Sequence, residues 1–499
     1  MSLIGEVRQA RGIDTETNGV LFTTRIPCGA GEDLREAGSD HYIFTIPADP
    51  ASIPEAAGYD YYFCVAVGNA LPQERVITLQ AMRPDYLSRE AKWTPSRIPV
   101  FVSADSQTWY VLDEVDASQN HEEYRMQVVL PPRQTVYLSN SLPHPSRIMA
   151  LWLSRVQAAY NELVQLRRLG TSVEGRQVLL LTISDPAVAD PSKDRILVTS
   201  GFHPAEPDWL ATTAIIDWLL SDDPQAKKTR QDFVVDVLTQ VNPDGFDLGT
   251  NGANAQGVNL YWDFRPDDEQ SSPEAVRLWR WIEAHPPHLY LDFHAYVHQL
   301  HKDYRPYIRS RWDYVPGARP VARAIDRELV KLCAGRQVRG RVTSLPTTLA
   351  AQMTDAFGTI TYPKFHLHLA HGIRACEELG VAVFRTLVEN ASGFRPLSTR
   401  VGAMAGAHGG GRTRPWLQRW DRSVTATRLR SLEQRVNRHL HVHTPLARLR
   451  GRPWSDLGLA PDWTRHLWSR RGELNPVIVI GDDRVTALRQ SGTRSGPCD

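Results

Sequence analysis

Lysine is nearly missing from this chain. Of 499 residues only seven are Lys, and Arg supplies the other 50 of the 57 basic side chains. Such a bias goes with a GC-rich genome and encodes no function by itself. Cysteine is also scarce: Cys28, Cys64, Cys333, Cys376 and Cys498. Their number is odd and no two lie close together, which argues against a disulfide framework and a cysteine-based zinc site. No stretch approaches the ~18 consecutive apolar residues of a spanning helix, so a membrane is not an expected partner. The opening MSLIGEVRQARGIDTE holds no apolar run of signal-peptide length. A reducing cytoplasm is the expected location.

A net charge of one sign is lacking as well, with 57 basic against 56 acidic residues. Neutrality excludes a simple whole-chain nucleic-acid binder, but it hides an asymmetry. Residues 401–499 hold 17 Arg, no Lys and 8 acidic residues, a balance of +9, which leaves −8 for the first 400. The tail interleaves arginines with Trp416, Trp420, Trp454, Trp463 and Trp468. Arginine with aromatics can grip a nucleic-acid strand. No nucleic-acid module is recognisable there, so docking onto the acidic body is the preferred reading.

What is present is an ordinary globular composition, 42% apolar and 23% charged, long enough for more than one domain. Residues 1–145 read as strands and turns: YYFCVAV at 61–67, RVITLQAM at 75–82, RIPVFVSA at 97–104, TWYVLDEV at 108–115, YRMQVVLP at 124–131 and QTVYLSN at 134–140. Short β-branched and aromatic runs at that spacing predict an antiparallel β-sandwich. Residues 146–395 alternate helices and strands, the pattern of an α/β domain with a mixed, largely parallel sheet. The helical period of 147–169 predicts one long helix; QVLLLTIS at 177–184, RILVTSGF at 195–202 and HLYLDFHAY at 288–296 read as strands, and FVVDVLTQVNPDG at 233–245 as a strand entering a turn. Further helices are expected over 208–221, 272–285 and 375–391. Residues 396–499 begin with a Gly-rich linker, GAMAGAHGGGRTRP at 402–415, and continue as the basic extension, with a candidate helix over 423–442 and a candidate strand within 476–490.

Chemistry concentrates in FHPAE, where His203 and Glu206 follow the strand RILVTSGF, and in LDFHAY, where His294 ends a strand. Two imidazoles and one carboxylate are the protein ligands of a catalytic zinc, the fourth position being left to water or substrate. Asp292 and Asp208 are candidate partners for the outer ring nitrogens. Five histidines crowd 285–301, and His298 and His301 could line the site; one metal is the simpler reading.

These residues occur in an order that resembles the metallocarboxypeptidase superfamily, specifically its cytosolic carboxypeptidase branch, which includes tubulin deglutamylases. EGRQVLLLTISDP at 174–186, FHPAEPDWLATTAIIDWLL from 202, VNPDGF at 241–246, GVNLYWDF at 257–264 and LDFHAY at 291–296 carry the likeness, and the strands at 60–140 resemble the β-sandwich that precedes the catalytic domain in this branch. The resemblance implies an α/β zinc domain behind a β-sandwich, with His203, Glu206 and His294 as zinc ligands.

The departures from the family pattern are equally informative. The Asn-Arg pair that holds a substrate carboxylate falls at Tyr261 and Trp262, and neither ring can neutralise a carboxylate. The arginine that stabilises an oxyanion would fall near Gly252, in NGANAQG, which has no arginine; Asn251, Asn254 and Gln256 are neutral candidates for contacting substrate. The family's glutamate base belongs to a late strand, here GTITYPKFHLHLAHG at 358–372, which contains no Glu or Asp. Pro363, Lys364 or His366 takes that place, depending on register. His366 and His368 share a face if this is a strand and are the candidate proton shuttles; Glu377 and Glu378 read as charges at a helix N-terminus. The expectation is a zinc-dependent hydrolase of an amide or peptide-like substrate with non-standard specificity. A catalytically silent zinc-pocket binding protein, and a conventional deglutamylase-like peptidase whose base lies elsewhere, remain open.

Overall fold

A computed structural model describes residues 5–6, 10–83, 100–112, 115–117, 123–296, 305–306, 308–309, 314–333, 345–369, 372–391 and 476–479. Residues 1–395 with 472–499 form one compact unit and 396–471 a second. The Gly-rich linker, the candidate helix over 423–442, the tail tryptophans, His298 and His301 all lie outside the described residues.

The amino-terminal strands are Asp14–Thr17 (β1), Val20–Thr23 (β2), Glu32–Gly38 (β3), His41–Thr45 (β4), Cys64–Asn69 (β5), Arg75–Met82 (β6), Phe101–Ser103 (β7), Thr108–Val111 (β8), Val115–Ala117 (β9), Glu123–Leu130 (β10) and Thr135–Ser139 (β11). Period-two burial is clearest in β10, where Tyr124, Met126, Val128 and Leu130 point inward and their neighbours outward. Two sheets result, one running β1-β2-β5-β11-β7-β8 and the other β3-β4-β6-β10-β9. Their inner faces meet in one core: Phe22, Val65, Val67 and Leu138 from the first pack with Phe44, Ile77, Leu79 and Val128 from the second. The pairing is antiparallel except for β4 on β6, which run parallel.

The helix expected over 147–169 stops early. Ser146–Ala159 is helical (α1), the chain turns at Tyr160, and Val164–Thr171 (β12) is a strand. Antiparallel pairing with Gln177–Ile183 (β13) captures the second half of the apolar pattern and overrides its helical period. The rest follows as Asp194–Thr199 (β14), Trp209–Leu219 (α2), Pro224–Asp232 (α3), Phe233–Leu238 (β15), Pro243–Leu248 (α4), Pro273–Ala284 (α5), Leu289–Tyr296 (β16), Arg305–Pro306 (β17), Arg319–Leu332 (α6), Leu349–Phe357 (α7), Ile360–His368 (β18) and Ile373–Ala391 (α8). Glu377 and Glu378 fall past the first turn of α8, which has no acidic residue; Glu378 instead pairs with Arg374 one turn back, at 2.7 Å.

The seven strands are ordered β12-β13-β15-β14-β16-β18-β17. β15, β14, β16 and β18 are parallel, and antiparallel strands flank them on both sides. Such a mixed sheet needs covering on its faces. Ala275, Leu278 and Ile282 of α5 and Ala350 and Met353 of α7 pack with Leu180, Leu197, Leu238 and Tyr290 of the sheet. Elsewhere α2 packs on α8 so closely that a Cβ on Gly380 would lie 2.5 Å from the Ala211 Cβ. The last described element, Pro476–Val479 (β19), pairs antiparallel with β8 at the edge of the sandwich.

Candidate metal centre

The site forms beyond the carboxyl end of β14 and over the carboxyl-terminal half of β16, at the end of the sheet where parallel α/β folds present their loops. After β14 the chain reverses at Gly201, whose φ of +72° is one that L side chains avoid. A Cβ there would stand 2.9 Å from the Gln240 Cα and the Thr239 carbonyl oxygen. Asp208 locks this turn, both of its carboxylate oxygens accepting from Gly201 N–H at 3.0–3.1 Å. The turn continues with Glu206 N–H donating to His203 O at 2.9 Å, and α2 begins at Trp209.

His203, Glu206 and His294 are all buried, and one donor atom from each lies within 4.8 Å of the others. Glu206 Oε1 lies 3.0 Å from His203 Nδ1, and Oε2 lies 2.9 Å from His294 Nδ1. Ala295 N–H also donates to Oε2 at 2.9 Å. The outer nitrogens face other acceptors: His294 Nε2 lies 3.0 Å from Asp292 Oδ2, and His203 Nε2 lies 3.3 Å from Asn259 Oδ1. Metal-binding histidines show this pattern, with one nitrogen inward and the other oriented by a carboxylate or carbonyl oxygen. Burial pushes His203 down to about 4, against the opposing pull of Glu206, so its ring is neutral. Burial favours a neutral Glu206, yet the two imidazoles outweigh it and hold the carboxyl well below its usual range. Burial lowers His294 as well, and Asp292 reverses this to a net rise. Two imidazole donors and one ionised carboxylate fit a zinc ion.

Aromatic rings wall the site. Tyr261 lies 5.4 Å from the His203 ring and 4.5 Å from the His294 ring, with Trp262 4.9 Å beyond it. From the sandwich side, Tyr59 lies 4.8 Å from the His203 ring, its hydroxyl accepts from Trp262 Nε1 at 2.6 Å, and the Tyr61 hydroxyl reaches Glu206 Oε1 at 3.5 Å.

The comparisons with known proteins agree with this geometry. Residues 149–355 match a family model described as zinc carboxypeptidase. Over that region the chain is similar to zinc carboxypeptidases. It is 28% identical over 169 residues to cytosolic carboxypeptidase 6 of Caenorhabditis elegans, covering 32% of this chain and 37% of that protein. It is 35% identical over 100 residues to cytosolic carboxypeptidase 6 of Mus musculus, covering 19% and 18%. These matches thus span well under half of the curated relatives' length. A metallo-carboxypeptidase structure from Burkholderia cenocepacia shares the fold, with a TM-score of 0.61 at 18% identity over 75% of this chain and all of that one.

Around this site the other expected residues divide. Tyr261 lies against the rings of His203 and His294, and Trp262 packs on Tyr261. Asn251 and Asn254 do not present free amides, and the expectation that they contact substrate gives way to a supporting role. Asn251 Oδ1 accepts from Tyr61 N–H and Tyr62 N–H at 2.9 and 2.8 Å, while its amide reaches Pro47 O and Asp49 Oδ1. Asn254 Oδ1 accepts from Gln256 N–H and Val258 N–H, and its amide donates to Ser271 O and Glu274. Each amide has thereby used its hydrogen-bonding capacity. Gln256 contributes its backbone N–H to that loop.

The register of β18 decides what faces the ligands. Leu291 pairs with Tyr362 and Phe293 with Phe365, so Asp292 stands opposite two residues, Pro363 and Lys364. This bulge restores Lys364 and His366 to the face of Asp292 and His294; regular pairing would turn Lys364 to the far side with Phe293. Pro363 has no N–H, so as the extra residue it takes no donor from the ladder. The His366 ring lies 5.8 Å from that of His294. His368 closes the strand opposite Tyr296, and its side chain lies outside the described part. Tyr59, Tyr61 and Asn259 are site residues to which the sequence pattern assigned no role, and Lys364 entered it only as one of three alternatives for the position of the base. The cluster YDYYF at 59–63 was the available signal for the first two, but it reads equally as the start of a strand.

Proposed function

We propose that this protein is a zinc-dependent hydrolase of amide or peptide-like bonds whose specificity differs from ordinary carboxypeptidase action. The observation that carries the proposal is the convergence of both histidine Nδ1 atoms on the two oxygens of one buried carboxylate, with the outer nitrogens held by Asp292 and Asn259. His203, Glu206 and His294 would hold one zinc ion. When bound, the ion supplies Lewis acidity toward a carbonyl and a water of lowered pKa. The chain's own groups do the rest. Tyr261, Trp262 and Tyr59 exclude bulk water and favour a ligand with an apolar or aromatic part. His366, on the ligand face of β18, is the proton carrier nearest to His294 among the described histidines of that strand, and His368 is the second candidate.

The difference in specificity is supported by the residues at 261–262, aromatic rings that cannot pair with a terminal carboxylate. A cytoplasmic location is supported by the relatives' names and by four buried free cysteines. Among the described residues no helix is long and apolar enough to cross a membrane. The test is metal analysis of the purified full chain, followed by assay of a panel of C-terminally free and C-terminally blocked peptides. One zinc per chain, lost in Glu206→Ala, with cleavage of blocked amides is expected. Efficient release of C-terminal Glu or Lys would overturn the specificity, and a metal-free wild type would overturn the whole reading. The absence of a carboxylate from 358–372 favours a second reading, a zinc-pocket binder without turnover. It predicts bound zinc and no cleavage of any member of the panel.

A further inference from the structure

Lys364 is an anomaly of the site. Its side chain is buried, with the residue 7% exposed. Among the described residues it makes no hydrogen bond and no ion pair; its contacts are the rings of Tyr261 and Trp262, whose centroids lie 4.9 and 5.5 Å from Nζ. Two aromatic faces can hold an ammonium by their quadrupoles, but they accept no conventional hydrogen bond. The three N–H donors of Lys364 are therefore unspent in a place where an unmatched charge is costly. Burial accordingly lowers its pKa, opposed by the fields of Glu206, Asp292 and Asp208. A divalent cation at the triad would offset the charges of Glu206 and Asp292, the two carboxylates that most favour the ammonium. Asp208 is meanwhile engaged with Gly201 N–H. The loaded site then holds a buried cation with donors to give and no protein acceptor to take them. The bulge at Pro363 is what delivers this cation to the ligand face.

We propose that Lys364 is the anion-binding group of this site, receiving a negatively charged oxygen of the ligand while Tyr261 and Trp262 pack on the adjoining apolar part. The shared chemistry is an oxyanion attached to an aromatic or apolar group. It has two sources: a carboxylate that the substrate carries, or the tetrahedral oxygen that develops when water adds to its carbonyl. Lys364 thus supplies, against the rings of Tyr261 and Trp262, the positive charge that the residues at 252 and 261–262 do not.

The inference rests on the metal reading above, so zinc content is measured on every sample used. The zinc-loaded full chain is titrated calorimetrically with phenylacetate, a planar anion, and with benzylphosphonate, a tetrahedral one. Binding of at least one is expected. Preference for the phosphonate identifies the developing oxygen, and equal or stronger binding of phenylacetate identifies a substrate carboxylate. Lys364→Met should weaken that binding roughly 10- to 100-fold, as loss of a charged hydrogen bond implies. Lys364→Arg, which keeps the charge, should stay within about 3-fold of wild type. If Lys364→Met fails to hold zinc, Lys364→Gln carries the same comparison. A wild type that holds zinc but binds neither anion, or a zinc-loaded Lys364→Met that binds as tightly as wild type, would overturn the inference and leave the metal reading standing. A wild type without zinc would overturn the metal reading itself.

Discussion

Asn251→Ala separates a supporting role from a substrate-binding one. In the folded protein its side chain ties its loop to the segment at 47–62: Oδ1 accepts from the buried N–H groups of Tyr61 and Tyr62, and Nδ2 donates to Pro47 O. Alanine removes these partners, and Asp49 Oδ1 with them, at once. Asn251 is fully buried, and Tyr61 and Tyr62 are nearly so, which leaves little room for water to replace the lost acceptor. An orphaned buried polar group costs about 1–3 kcal/mol. Two orphaned N–H groups give an expected loss of about 4 kcal/mol, a large share of the ~5–15 kcal/mol typical of a folded domain. The assay is urea unfolding of the full chain followed by tryptophan fluorescence and circular dichroism. The midpoint should fall sharply. Zinc affinity should fall with it, because Tyr61 reaches Glu206 Oε1 from the segment that Asn251 fixes. A substrate-binding Asn251 predicts the opposite pattern, unchanged stability with a raised KM. A loss below about 1 kcal/mol would refute the supporting role.

Two further perturbations test the frame of the site. Glu274, in the first turn of α5, is buried against Val173 N–H and Asn254, and burial pushes its carboxyl up to about 7 from 4.5. A raised carboxyl contributes stability that is fully present below its ordinary value and is lost as pH rises through 7; the difference corresponds to about 3 kcal/mol. Wild type should therefore lose stability between about pH 4.5 and about pH 8, and Glu274→Gln should flatten that slope; parallel slopes would refute the assignment. Gly201→Ala places a Cβ in the left-handed region and against backbone atoms of residues 239 and 240, so a loss of about 2 kcal/mol or more and weaker zinc retention are expected. Differential scanning calorimetry and metal analysis check both effects, and a variant with wild-type melting and metal content would refute the strain argument.

Much of this was legible in the residues because it depends on local pattern. Alternating apolar positions in YRMQVVLP marked a sandwich strand, and His203, Glu206 and His294 stood beside strand ends, their reading as ligands coming from the family resemblance. The parts that were not legible depend on long-range partners. Whether Val164–Thr171 continues a helix or forms a strand is decided by pairing with β13, six to nineteen residues away. Asn251 was chosen as a polar side chain in an arginine-free loop, and only the approach of Tyr61 and Tyr62 from nearly 190 positions upstream reveals its use. Lys364 was one of three residues compatible with the position of the base, because a strand's alternation cannot be counted across an unseen bulge. Such a bulge leaves only a weak mark in a single sequence, here a proline in the middle of an apolar strand.

Tyr59 and Tyr61 come from the sandwich, yet they stand against His203 and Glu206. The residues from 146 to 391 therefore do not carry a portable pocket. Excised and grafted elsewhere, that segment would bring the histidines, the carboxylate and the lysine but leave one wall behind. Duplication or recombination that separated the two modules would yield a metal site open to solvent on that side. A change at residue 59 or 61 would therefore alter the wall of the site without touching any candidate metal ligand.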